Sequence, residues 1–100
     1  MKKKKFRYNF RKNKRVNHPA YLIDQDGNMY KYIGLTHSKV TDNVQNVKLS
    51  KNPDPKDKRP SYARPFVESD EKKNFGKGLN DWKLAPEDKK KIKKIIKKKQ

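Results

Sequence analysis

The chain contains two histidines, His18 and His37, the side chains best suited to exchange protons near neutral pH. Cleaving RNA without a metal requires a base for the 2′-hydroxyl, an acid for the leaving 5′-oxygen and cations for the charge that develops on phosphorus. Two imidazoles beside one phosphate would supply the base and the acid. The alternative is structural, because His18 precedes a proline at a predicted strand start and His37 lies in a polar turn, where it would bond local backbone.

The predicted hairpin decides whether the two histidines can meet. Asp26-Gly27 separates two apolar runs, which is a strong signal for a two-residue hairpin turn. The resulting register places Leu35 opposite His18 and puts His37 on the diagonal, about 7–8 Å away. The two rings could therefore flank one phosphate group.

The net charge is +18, and most of it lies at the two ends of the chain. Residues 1–15 contribute +9, residues 16–85 contribute +3 and residues 86–100 contribute +6. This excess indicates an anionic partner such as RNA or DNA and predicts binding that weakens steeply with salt. The cations that we expect to contact nucleic acid are Arg7, Arg11, Arg15, Lys39, Arg64 and Lys77. Arg15 or Lys39 could also hold the phosphate between the histidines.

Aromatic and polar residues alternate through the basic N-terminal segment, with Phe6, Tyr8 and Phe10 at every second position. This period of two is typical of a strand with one aromatic face. A flexible arm whose aromatic rings stack on bases is the alternative. The four lysines at 2–5 repel one another and are expected to be disordered in the unbound protein.

Composition excludes several classes of protein. No apolar run approaches the ~18 residues of a transmembrane helix, and no apolar segment follows the basic N-terminus as in a secretory signal. The chain has no cysteine, which excludes disulfides and thiolate metal sites, and two histidines alone make a poor zinc site. We therefore expect a cytoplasmic protein without metal, other cofactor or membrane contact.

Short apolar runs separated by turn residues predict four or five strands of a small antiparallel sheet. The clearest runs are 19–23, 29–36, 46–49 and 61–68. Pro65 places the last run at an edge of the sheet, because proline cannot donate to the ladder. Three prolines within residues 52–60 predict a loop, and a glycine-rich stretch at 76–80 predicts turns near Trp82.

The last segment is the clearest helix. Pro86 suits the first helical position, and the two acidic residues after it suit the positive end of the helix dipole. Ile92, Ile95 and Ile96 form a narrow apolar stripe that would pack on the sheet. The predicted fold is α+β, because strands at this spacing favour a small, strongly bent antiparallel β-barrel, here with one C-terminal α-helix. The expected organisation is a basic arm at 1–15 (disordered or partly an added strand), a small β-barrel at 16–85 and a basic helix at 86–100.

Three short runs and a closing segment follow one another in a recognisable order. They are His18-Pro19-Ala20-Tyr21-Leu22-Ile23, Gly34-Leu35-Thr36-His37-Ser38-Lys39, Asn46-Val47-Lys48-Leu49 and, before the helix, Gly76-Lys77-Gly78-Leu79. This order is similar to that of PemK/MazF-type toxins, in which an Arg-Pro strand, an Ile-Thr-Ser strand end and a Val-x-Leu strand precede a turn and a C-terminal helix. The resemblance implies an SH3-like barrel acting as a metal-independent endoribonuclease, usually a homodimer and inhibited by a protein antitoxin.

The resemblance also implies site residues. It puts Thr36 at the family's active-site threonine and His18 at the position of its active-site arginine. Arginine is a fixed cation, whereas histidine is charged only part of the time near neutral pH, and a tight turn replaces the family's long loop between the first two core strands. The predicted register turns Thr36 away from the histidines unless a bulge at Pro19 shifts it. The catalytic candidates are His18, Thr36 and His37.

Three functions are open at this level. The first is an RNA-binding endoribonuclease toxin, and the second is a non-catalytic nucleic-acid-binding module associated with the ribosome or a mobile element. The third is a basic inhibitor that occupies an acidic surface of another protein. Cleavage of RNA that depends on His18 and Thr36 separates the first from the second. RNA and DNA, or a monomer and a homodimer, are not distinguished by the residues alone.

Overall fold

A computed structural model describes residues 6–98 of the chain, so the four lysines that we expect to be disordered, at 2–5, lie outside the described residues. The chain forms a mostly antiparallel β-sheet with one C-terminal helix, which confirms the predicted α+β class. The strands are β1 (Asn9–Asn13), β2 (His18–Asp26), β3 (Met29–Thr36), β4 (Val40–Thr41), β5 (Val44–Gln45), β6 (Val47–Lys48), β7 (Tyr62–Ala63), β8 (Glu68–Glu71) and β9 (Phe75–Gly78), with a 3-10 turn at Lys72–Asn74 and helix α1 at Pro86–Lys98.

The main sheet is strongly curled. Its strands run in the order β6-β7-β3-β2-β1-β9, and β8 pairs with β3 beside β7. In a flat sheet β8 and β9 would lie about 19 Å apart, four strand spacings, yet only the three residues Lys72–Asn74 connect them. Because such a connection spans at most about 14 Å, the two margins must bend toward each other.

The first hairpin, β2–β3, forms with a turn one residue later than predicted. Asp26 pairs with Met29, so the two turn residues are Gly27 and Asn28 rather than Asp26 and Gly27. Gly27 takes a φ of 59°, as the first central residue of a type II′ turn does. The Asp-Gly signal therefore located the hairpin and missed its register.

A bulge within β2 changes the register a second time, after which Ala20 pairs with Gly34. The pairing of β2 with β3 ends there, but the same register counted two residues further aligns His18 with Thr36, whereas the predicted register aligns it with Leu35. The predicted pairing was therefore wrong, and the shift puts Thr36 on the same face of the sheet as His18. The bulge lies further along β2 than Pro19, where the family resemblance required one.

The basic N-terminal segment is partly a strand. Asn9–Asn13 pairs with β2 over five residues and with β9 on its other side. Phe10 is buried against the core, whereas Tyr8 precedes the strand and is 52% exposed. The strand interpretation is thus confirmed from Asn9 onward, and part of the predicted arm belongs to the sheet.

Several later strands differ from the prediction. Only two residues of the run at 46–49 form β6, and the run at 61–68 is divided into β7 and the start of β8 because Pro65 interrupts it. The stretch predicted as turns contains β9, which pairs with the edge of β1. A further small hairpin, β4–β5, turns at Asp42 and Asn43, which both have positive φ.

The sheet buries apolar side chains on both faces, since neighbouring residues of a strand point to opposite sides. On one face, Ile33 and Leu35 pack with Ile92 and Ile95 of α1, which confirms that the isoleucine stripe docks on the sheet. The other face carries a smaller cluster, made of Ala20, Leu22, Tyr32 and Phe75. The polar ends of β2 and β3 emerge beside the first core.

Asp88 ties α1 to the loop after β6. Its carboxylate is 0% exposed and accepts hydrogen bonds from the Ser50 backbone N (2.8 Å), the Ser50 hydroxyl (3.0 Å) and the Lys51 backbone N (3.3 Å). The sequence predicted a contribution to the helix dipole only. The structure adds a long-range anchor that holds the first turn of α1 in place.

Candidate nucleic-acid interface

A cleft of about 330 Å³ opens where β2 begins and β3 ends, and the proline-rich loop at 52–60 forms part of its wall. His18, Thr36 and His37, the three predicted catalytic residues, all line it. Lys12 of β1 and Arg59 of the loop line it as well. The fold thus collects two imidazoles, two cations, the hydroxyls of Thr36 and Ser61 and the carboxylates of Asp54 and Asp57 around a space open to solvent.

His18 and Thr36 form the ridge between this cleft and a neighbouring one of about 210 Å³, because both residues line both clefts. Because both side chains line the same two clefts, the imidazole and the hydroxyl can contact one ligand. The Thr36 Oγ1 accepts a hydrogen bond from the Ser38 backbone N at 3.2 Å. Its own O–H remains available to donate.

The protein orients His37 through both ring nitrogens. Nδ1 lies 2.9 Å from the carbonyl oxygen of Pro60, to which it donates when it carries a proton. Nε2 lies 3.5 Å from a carboxylate oxygen of Asp57. The predicted alternative was a bond to local backbone, but both partners come from the distant loop. When His37 is protonated, it therefore links the end of β3 to that loop.

Asp57 and Arg59 form a fork-shaped ion pair within the loop. Arg59 Nε donates to Asp57 Oδ1 at 3.0 Å and Arg59 Nη2 donates to Oδ2 at 2.8 Å. The side-chain and backbone hydrogen bonds from Arg59 lower the pKa of Asp57 to about 2. Asp57 therefore stays ionised at neutral pH. Together with Asp54, which also lines the cleft, it formally balances the charges of Lys12 and Arg59.

Three of the six cations predicted to contact nucleic acid are tied to the protein itself. Arg15 donates to a carboxylate at 2.6 Å, Arg11 to a backbone oxygen of β9 at 2.7 Å and Arg64 to an amide oxygen at 2.8 Å. The other three, Arg7, Lys39 and Lys77, are exposed. Neither Arg15 nor Lys39 lines the cleft, where either was predicted to hold the phosphate.

The partner of Arg15 is Asp70, at the centre of a buried polar network. Asp70 accepts hydrogen bonds from Arg15 (2.6 Å), Asn13 (3.0 Å) and Asn74 (2.8 Å). Burial opposes the ionisation of Asp70, but these hydrogen bonds outweigh burial and hold its pKa well below the ordinary range. The network joins β1, β8 and the 3-10 turn, so Arg15 has a structural role in this fold.

Sequence reasoning missed Lys12, Asp57 and Arg59 as residues of the cleft. Lys12 lies in the predicted N-terminal strand, and the other two belong to a run of charged residues in a segment predicted only as a loop. The charged run was the available signal. It carries no information about where the loop folds back.

Comparison with protein-family models, with curated proteins and with solved structures finds no match to this chain. Within residues 6–98, no group of three or more histidine, cysteine or acidic residues is placed to hold a metal ion. In the same part of the chain, no helix has the length and apolarity needed to cross a membrane.

Proposed function

We propose that this protein binds single-stranded RNA with one phosphodiester in the cleft and cleaves it without a metal ion, as a PemK/MazF-like endoribonuclease. The supporting observation is the convergence of His18, Thr36 and His37 on one cleft that also carries Lys12 and Arg59. These are the side-chain types that the reaction requires. We also propose that the curled sheet is a form of the SH3-like barrel that the resemblance implies.

In the proposed reaction, His18 removes the proton of the 2′-hydroxyl while that oxygen forms a bond to phosphorus. The bond from phosphorus to the 5′-oxygen breaks, and protonated His37 gives its Nε2 proton to the leaving oxygen. The products are a 2′,3′-cyclic phosphate and a 5′-hydroxyl end. Thr36 donates to a non-bridging phosphate oxygen, and Lys12 stabilises the charge that develops on it. Arg59 contributes through the guanidinium N–H groups that do not donate to Asp57.

A toxin of this class acts in the cytoplasm, where its RNA substrates are. We extend the proposal to a protein antitoxin and to a homodimer, both of which rest on the family resemblance. The positive charge of the chain, +18 in total, suits an antitoxin segment rich in acidic residues.

A second candidate is a non-catalytic RNA-binding module with the same cleft. It is favoured by the contacts of His37, because the Pro60 carbonyl oxygen lies 2.9 Å from Nδ1 and the Asp57 carboxylate lies 3.5 Å from Nε2. A histidine held in this way can act as an acid only if the substrate draws its Nε2 proton away from Asp57. In this candidate the cations bind phosphate and no bond is broken.

The decisive experiment incubates the purified protein with a long single-stranded RNA in EDTA. The proposal expects discrete fragments ending in 2′,3′-cyclic phosphate, and their loss in the His18→Ala and Thr36→Ala variants. Asn28→Ala, at the far end of the same hairpin, is the matched control and should cleave normally. Intact RNA that the protein shifts on a gel would exclude the nuclease and leave the binding module.

The His18→Arg variant tests what His18 does. It restores the arginine found at this position in the resembled family, which can hold a phosphate but cannot remove a proton at neutral pH. If His18 is the base, this variant binds RNA and does not cleave it. Undiminished cleavage would make His18 a phosphate ligand and would require another base.

A further inference from the structure

A second and larger groove lies next to the cleft. It has a volume of about 510 Å³ and runs between β1, the segment after β9 and the first turns of α1. Leu79 and Trp82 line both the groove and the cleft, so a partly buried indole lies at the boundary between them. An extended ligand that leaves the cleft on this side therefore enters the groove directly.

Aromatic rings follow one another along the groove. Tyr8 packs edge-on against Tyr21 with ring centroids 5.7 Å apart, Tyr21 lies 4.7 Å from Phe10, and Phe10 lies 5.7 Å from Trp82. Phe10 and Tyr21 are buried, but Tyr8 at one end is 52% exposed. Much of the Tyr8 ring surface therefore contacts solvent beside the groove instead of packing in the core.

The charged residues of the groove are all basic. Arg7, Lys83 and Lys89 are exposed, and no acidic residue is among the described residues that line the groove. None of these three cations forms an ion pair with a described acidic residue. An exposed aromatic ring beside unpaired cations is the arrangement by which proteins hold unpaired nucleotides, with bases stacked on rings and phosphates on cations.

We infer that this groove is a second subsite that binds unpaired nucleotides flanking the phosphate in the cleft, with a base stacked on Tyr8. The inference rests on the proposed function, because it extends the same RNA strand beyond the cleft. It requires single-stranded nucleic acid, since a base inside a duplex is covered on both faces and cannot stack on a protein ring.

The test measures the binding of a fluorescent single-stranded nonamer of 2′-O-methyl RNA, which cannot be cleaved because it has no free 2′-hydroxyl. Tyr8→Ala should weaken binding by about 5- to 150-fold, the effect of losing one stacked base. Tyr8→Phe retains the ring and should bind within about twofold of the wild type. Phe66→Ala is the matched control, because it removes an exposed ring that does not line the groove.

Further arms separate failure of the inference from failure of the proposed function. If Lys12→Ala weakens nonamer binding and Tyr8→Ala does not, the cleft binds RNA and the groove is not a subsite. If Tyr8→Ala weakens binding of the nonamer and of its duplex equally, stacking on Tyr8 is refuted. If the wild-type protein binds no nonamer, both the inference and the proposed function are wrong. Because Tyr8 is exposed, we expect its variants to melt as the wild type does, which circular dichroism checks.

Discussion

Replacing Asp88 with alanine should destabilise the fold far more than replacing its neighbour Glu87. The Asp88 carboxylate accepts three hydrogen bonds, two of them at 2.8 and 3.0 Å, whereas Glu87 is exposed. Hydrogen bonds to a charged group contribute about 1.5–3 kcal/mol each. The hydration that the carboxylate loses on burial offsets part of this sum. We therefore expect Asp88→Ala to lower the free energy of unfolding by about 3 kcal/mol.

The assay is thermal unfolding followed by circular dichroism. For a chain of about 100 residues, 3 kcal/mol corresponds to a fall in Tm of roughly 12–24 °C. Glu87→Ala loses only its interaction with the helix dipole, about 0.3–1 kcal/mol. Ser50→Ala removes one of the three hydrogen bonds and should fall between the two. Equal and small losses for Asp88→Ala and Glu87→Ala would refute the anchor and leave the dipole as the whole contribution of Asp88.

Two further predictions concern the curled sheet. Because its hydrogen bonds hold the pKa of Asp70 below the ordinary value, Asp70 stabilises the protein above about pH 4, and this contribution is lost as the pH falls toward the lowered pKa. The Asp70→Asn variant should therefore be less stable than the wild type at pH 7 and should lose less further stability below pH 4. Urea unfolding at several pH values measures both effects. Curves of stability against pH that run parallel for the two proteins would contradict this. Gly27→Ala should lower the free energy of unfolding by about 1–2 kcal/mol, because Gly27 has a φ of 59° that alanine adopts only with strain. The added methyl group meets no other atom within 4 Å, so the backbone strain is the whole cost. A Tm equal to that of the wild type would show that the turn relaxes freely.

Local signals were enough to predict the helix and the first hairpin. Pro86 and the isoleucine stripe lie in one segment, so their spacing contains the whole argument for a helix that packs on the sheet. The hairpin signal at Asp26-Gly27 was also local. The register of the hairpin, however, depended on which two residues form the turn and on a bulge within β2, which is nine residues long. Neither choice leaves a clear mark in the sequence.

The candidate site likewise combines residues that local sequence signals could predict with residues that they could not. His18 and His37 lie near the two ends of one hairpin, so their meeting could be predicted even with the wrong register. Thr36 was turned away in that register, and the observed register puts it on the same face as His18. Arg59 reaches the cleft only because its loop folds back across the end of β3. The contact that holds the loop there joins His37 to Pro60, more than 20 positions further along the chain. No local pattern in the sequence specifies it.

The outer strands of the main sheet also bear on how the protein behaves at high concentration. β6 consists of two residues, β9 of four, of which two are glycines, and β8, which pairs only with β3, of four. Short margins expose few backbone donors and acceptors, and Lys48 in β6, Lys77 in β9 and the two glutamates of β8 put a charge on each of them. Sheets of neighbouring molecules therefore have little to join, so intermolecular strand addition and fibril growth are disfavoured while these lysines stay charged.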